Sequence, residues 1–184
     1  MTASCPSAVS VPPELPVSVR VGDEPAIRQE HSKPSPVSSW RHVKQTMETL
    51  HGQGVTTWIG GGWASELLSL EAPRHHHDID LFYPAGGFEA LDVCLASLQE
   101  VKLKRFPHKR AFVSQNVLVE IVLMRPRSDG RHVTSYFDRY DLIWPARSLG
   151  TCSGVRALTG IALNEHWTAF EAIKAARTDW AART

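Results

Sequence analysis

The strongest constraint in this chain is the run WIGGGWASELLSLEAPRHHHDIDLFYP, from Trp58 to Pro84. Three consecutive glycines, Gly60 to Gly62, separate a β-branched stretch, Val55–Ile59, from a helix-like stretch, Trp63–Leu70. A spacer with three histidines then leads into His77–Tyr83, whose alternation of polar and apolar residues predicts a strand. Strand, flexible turn, helix and strand in so short a span commit the chain to an α/β arrangement. A glycine turn at a helix start lets a ligand approach unpaired backbone N–H groups, and phosphate is the usual guest there. The same glycines would also serve a plain tight turn, and neither the GxGxxG nor the Walker A pattern is present.

The aspartates narrow the choice. Residues i and i+2 of a strand face the same way, so Asp78 and Asp80 point to one side and Ile79 and Leu81 to the other. Two carboxylates about 6 Å apart repel by roughly 3 kcal/mol at an effective dielectric of 20. On an open strand face water screens this almost completely. In a cleft the repulsion persists unless a cation lies between the acids, and Mg²⁺ takes oxygen ligands of this kind together with substrate phosphates. Glu120 is a third acid, set in VLVEIVLM (Val117–Met124) on the same strand face as Leu118, Val122 and Met124. A carboxylate there needs a partner: a nearby arginine, or a metal shared with Asp78 and Asp80. In the second case it would also be placed to take a proton from an attacking hydroxyl.

Elsewhere, Met1 to about Pro36 is rich in Pro and Ser and reads as a disordered arm; one domain fills residues 37–184. Ser38 or Ser39 caps a helix running through Gln53, with Trp40, Val43, Met47 and Leu50 on one face. Gly86–Glu100 has helical spacing, and Val101–Phe106 and Arg110–Ser114 read as paired strands. Asp129-Gly130 marks a turn. Asn164 is the expected cap of a last helix with Trp167, Phe170, Ile173, Ala176 and Trp180 on one side. With 20 basic and 19 acidic residues the net charge is +1, which gives little pull toward nucleic acid or membrane. No apolar run approaches the roughly 18 residues needed to span a bilayer. Three scattered cysteines, Cys5, Cys94 and Cys152, fit a reducing cytoplasm better than a disulfide framework.

Trp58–Ala64 followed by Arg74–Phe82 resembles the antibiotic nucleotidyltransferases of the DNA polymerase beta-like superfamily, in particular the aminoglycoside 2''-adenylyltransferase and lincosamide nucleotidyltransferase groups. Gly61 and Gly62 match the family's diglycine, and Asp78 and Asp80 its Asp-x-Asp. The likeness is strong from Trp58 to Phe82 and weaker out to Met124; Lys174–Trp180 looks like the family's closing helix.

The resemblance implies a mixed sheet flanked by helices, with a C-terminal helix. It implies Gly61 and Gly62 against the phosphates of a nucleoside triphosphate, ATP being the expected one, with Arg74 and Lys174 as further nucleotide contacts. It implies Mg²⁺ on Asp78 and Asp80, and Glu120 as third ligand or general base. The acceptor would be a small hydroxylated molecule such as an aminoglycoside or lincosamide, and a homodimer is expected to complete the pocket. Glu66 and Glu120 stand where the groups usually carry Asp, and Ser69 where Gly is common. The alternative is a non-catalytic, antitoxin-like member of the same fold.

Overall fold

The computed structural model of the chain describes residues 17–19 and 38–181, with side chains for residues 38–176. Of the expected N-terminal arm only β1 (Val17–Val19) is described, and it is a strand rather than disordered: its three residues pair with the edge formed by Tyr140–Leu142. The rest of that expectation lies outside the described residues.

Helix α1 (Trp40–Gly52) is capped by Ser39, whose hydroxyl accepts from the His42 N–H at 3.4 Å. Val43, Met47 and Leu50 are buried along one stripe. Gly54, at φ +82, then turns the chain. Strand β2 is only Trp58–Ile59, shorter than the β-branched run, because only these two residues find partners, in Phe82 and Leu81. Helix α2 (Gly61–Leu67) begins on the glycines themselves and stops before Leu70, where Ser69 adopts φ +56. Strand β3 follows (Asp78–Pro84), then a short α3 (Glu89–Leu95) in place of the longer helix expected from Gly86 to Glu100.

Val101–Phe106 is not a strand. Gln99–Glu100 forms β4 against β5 (Lys109–Ser114), and Lys102–Lys104 makes one 3₁₀ turn between them. Lys102, Leu103 and Arg105 are all exposed there, so the segment has no inward apolar face for a sheet to bury. Strand β6 (Val117–Pro126) turns at Asp129-Gly130 into β7 (His132–Tyr136), followed by β8 (Tyr140–Ile143), β9 (Leu149–Cys152) and β10 (Val155–Leu158). Helix α4 (Gly160–Ala181) starts a turn earlier than Asn164, because the Thr159 hydroxyl takes the Ala162 N–H at 3.4 Å and serves as the cap.

The strands form one mixed sheet in the order β1-β8-β7-β6-β3-β2-β10-β9, with β5 and then β4 attached to β6. The β3–β6 and β2–β10 pairs are parallel. Ile79, Leu81, Val119 and Ile121 join Leu50, Leu91 and Leu95 in a single buried core. This burial fixes the register, since a slip of one residue would turn the side chains of the slipped strand to the other face of the sheet. On α4 the buried positions are Ala162, Leu163, Ala169 and Ile173; Ala176 is exposed, and Trp167 is only partly covered. Among the described residues no helix is long and apolar enough to cross a membrane.

Candidate active site

The site follows from the pairing of β3 with β6. Asp80 lies directly beside Glu120, and Asp78 beside Leu118. Neighbouring residues in register share a face, so burying Ile79, Leu81, Val119 and Ile121 turns Asp78, Asp80 and Glu120 together to the other side. There the three acids, Gly61 and Lys109 border a cavity of about 250 Å³.

The acids are not equivalent. Burial, and then the charges of Asp78 and Glu120, push the Asp80 carboxyl up to about 7, with Lys109 and Lys104 opposing. Burial also disfavours ionised Glu120, but the two lysines outweigh it and hold its carboxyl below the usual range. Lys104 Nζ donates to Glu120 Oε1 at 2.6 Å and Lys109 Nζ to Oε2 at 2.8 Å. The partner of Glu120 in this structure is thus a pair of lysines, where the sequence left open an arginine or a metal shared with Asp78 and Asp80.

The glycines have separate structural reasons. Gly61 sits at φ +56, and a Cβ there would lie 3.0 Å from the Asp80 carboxyl carbon and nearer still to Oδ2. The Asp80 carboxylate therefore rests against bare backbone. A Cβ on Gly62 would press on His76, 2.6 Å from Nδ1, and on Arg74, 3.0 Å from Nη2. His76 is buried, packs 4.4 Å from the Trp63 ring, and shares a hydrogen bond of 3.2 Å with Glu66. Glu66 also accepts from the Arg74 N–H at 3.4 Å. The longer acid at position 66 therefore reaches across to tie down the loop that leads into Asp78.

An aromatic wall that sequence reasoning did not assemble lines the same cavity. His166, Trp167 and Phe170 come from α4, Tyr136 and Phe137 from the end of β7, and Phe82 from β3. His166 stacks 5.6 Å from Trp144 and 5.9 Å from Phe170, and its Nε2 lies 2.9 Å from the Tyr136 hydroxyl. Burial pushes this histidine down to about 4, so it is neutral at ordinary pH. Trp144 and Tyr140 are core residues.

Two expected nucleotide contacts do not border this cavity. Arg74 forms an ion pair with Glu71 at 3.3 Å, and Lys174 with Glu171 at 2.7 Å. Among the other basic residues, Arg110 is held by Asp92, and Arg127 and Arg131 by Asp129. Among the described residues no three His, Cys, Asp or Glu side chains are grouped tightly enough to be a ready-made metal set. Asp78 and Asp80 nevertheless fit a cation: Asp80 is raised by burial and then by its anionic neighbours, and it presses on a cradle that a single Cβ would fill. Both oxygens of Glu120 are engaged by the lysines.

A mixed sheet that brings an Asp-x-Asp pair and a third acid to one cavity beside a diglycine turn defines the class, an enzyme of the nucleotidyltransferase type. Within it, the model of the aminoglycoside-2''-adenylyltransferase family matches residues 42–148, more than half of the 184-residue chain, and the chain belongs to that family. No curated protein sequence matches it.

Solved structures share the fold at low identity. The lincosamide antibiotic adenylyltransferase LnuA, solved with lincomycin bound, is 13% identical with a TM-score of 0.54, covering 67% of this chain and 82% of LnuA. ANT(2")-Ia in complex with adenylyl-2"-tobramycin is 18% identical with a TM-score of 0.51, over 70% of this chain and 75% of its own. A nucleotidyltransferase-like protein from Thermotoga maritima is 16% identical with a TM-score of 0.55, over 78% and 92%.

Proposed function

We propose that this enzyme transfers a nucleoside monophosphate from a nucleoside triphosphate, ATP being the expected donor, to a hydroxyl of a small antibiotic-like molecule, releasing pyrophosphate. The observation that carries the reading is the register of β3 on β6, which sets Asp80 beside Glu120 at the cavity that Gly61 closes. Family membership and the antibiotics bound by the two solved enzymes support the substrate class.

Asp78 and Asp80 are the residues that would hold Mg²⁺, whose contribution when bound is to neutralise charge on the phosphates. Gly61 and Gly62 offer bare backbone to the phosphate chain, as the family resemblance implies. Glu120, kept ionised by Lys104 and Lys109, is the base that would take the proton of the acceptor hydroxyl, on a carboxylate lone pair that its two lysine bonds leave open. The hydroxyl oxygen then bonds to the α-phosphorus while the bond from that phosphorus to the pyrophosphate oxygen breaks. The aromatic wall excludes water and orients the acceptor, so positioning supplies much of the rate.

The test is to incubate the protein with Mg²⁺, each of the four nucleoside triphosphates, and panels of aminoglycosides and lincosamides, following pyrophosphate and product mass. At least one pairing is expected to turn over, and Asp80→Ala to abolish it. Turnover that survives Asp80→Ala would remove the assigned role.

A further inference from the structure

Tyr136 and His166 both border the cavity of the acids, and the chemistry assigned to the acids uses neither. Resting on the transferase reading above, we propose that the Tyr136 hydroxyl is a neutral hydrogen-bond donor to an oxygen of the phosphoryl group being transferred, and that His166 is the positioning residue that keeps its hydrogen turned to that task.

The hydrogen positions follow from what each atom can reach. Tyr136 Oη and His166 Nε2 are 2.9 Å apart. His166 Nδ1 is buried and has no hydrogen-bond partner among the described residues. Burial keeps the imidazole neutral, so it carries one ring hydrogen. A buried N–H with no acceptor is rarer in folded chains than an unshared lone pair, which puts that hydrogen on Nε2. Nε2–H then donates to the Tyr136 oxygen, and the phenolic hydrogen is left over. Among the described residues that hydroxyl makes no other hydrogen bond.

The imidazole is held on two sides. It stacks on Trp144, whose Nε1 donates to Thr134 Oγ1 at 2.9 Å, and that hydroxyl donates to the Leu123 carbonyl at 2.7 Å. Phe82 meets it edge-on at 5.2 Å. A chain of contacts thus runs from β6, the strand of Glu120, to His166. A donor fixed in this way needs no reorganisation when charge develops on its partner.

A group left only a hydrogen to give suits an oxygen that can only accept. Phosphoryl oxygens are of that kind, whereas an acceptor hydroxyl must also place a hydrogen of its own. Position agrees: the Asp80 charge acts on the Tyr136 hydroxyl, so the phenol lies near the carboxylate assigned to metal and phosphate. Burial, and then that charge, raise the hydroxyl further above the ordinary tyrosine value. The proton therefore stays on the phenol while the bonds to phosphorus change. Lys109, the ammonium bordering the same cavity, is engaged by Glu120.

The full chain is titrated with α,β-methylene-ATP and Mg²⁺ by calorimetry, and the ³¹P spectrum of the bound nucleotide is recorded. Tyr136→Phe, which removes only the hydroxyl, is expected to weaken binding by about tenfold and to move the α-phosphorus resonance. His166→Leu is expected to do the same, and His166→Gln to keep most of the affinity. Added to Tyr136→Phe, His166→Leu should cost less than about a further twofold. Thermal melting checks the fold of each variant. Histidine ¹⁵N spectra of the unaltered chain give a reading that needs no variant to fold, with the His166 hydrogen expected on Nε2.

Unchanged affinity and an unmoved α-phosphorus resonance in Tyr136→Phe, additive effects of the two changes, or a hydrogen on Nδ1 would each overturn the donor assignment and leave the transferase reading standing. Failure of the unaltered chain to bind the nucleotide would sink that reading, and the donor assignment with it.

Discussion

Replacing Gly61 by alanine should separate catalysis from folding, and the structure sets the scale. The residue sits at φ +56, where a Cβ costs about 1–2 kcal/mol. The new methyl would lie 3.0 Å from the Asp80 carboxyl carbon, where carbon atoms prefer about 3.5–4.0 Å. Asp80 ends in a carboxylate, so the side chain can swing aside by about 1 Å instead of breaking the sheet. Displacement on that scale at a reacting centre costs roughly 100-fold in rate. The expected outcome is therefore about two orders of magnitude off kcat, weaker Mg²⁺ binding, and a loss of stability of only about 1–2 kcal/mol by urea denaturation. Gly86→Ala is the control, since nothing lies within 4 Å of a Cβ there. Gly61→Ala with turnover within threefold of the wild type and unchanged Mg²⁺ affinity would refute the contact between turn and carboxylate.

Three further outcomes are expected. Because the folded Asp80 titrates near 7 against 3.8 for the free side chain, the native state binds the extra proton between those values, and stability falls as pH rises through that window. Asp80→Asn should accordingly be more stable than the wild type by roughly 1–3 kcal/mol at pH 8, the gap closing as pH is lowered toward 4 in denaturation curves. Lys109→Met leaves Glu120 with one counter-ion and should cost about 1–3 kcal/mol, most of it recovered by adding Glu120→Gln in a double-mutant cycle. Ser69→Gly relieves a non-glycine residue held at φ +56 and should raise stability by about 0.5–1 kcal/mol, read as a higher melting temperature.

The acid face of β3 was legible because period-two alternation needs no knowledge of neighbours. Asp78 and Asp80 follow from Ile79 and Leu81 having to be buried. The placement of Glu120 beside Asp80 was not fixed that way: β3 and β6 are parallel and separated by α3, β4 and β5, so their register depends on contacts no local pattern encodes. Lys104 was missed because Val101–Phe106 reads as a strand, and only the 3₁₀ turn puts its ammonium on Glu120. Trp167 and Phe170 have helical spacing that suits core packing equally well, and a cap at Thr159 in place of Asn164 hides how α4 meets the sheet. Ser69 stands at positive φ, where the chain reverses, and this is the physical sense of the glycine that the family resemblance leads one to expect there.

The acids sit on two central strands pinned by core packing, whereas half of the aromatic wall lining their cavity, His166, Trp167 and Phe170, comes from α4. Substitutions along a single helical face can therefore retune which molecules this scaffold accepts without disturbing the strands. Selection under a changing chemical challenge has an evolvable dial on a different element from the acids.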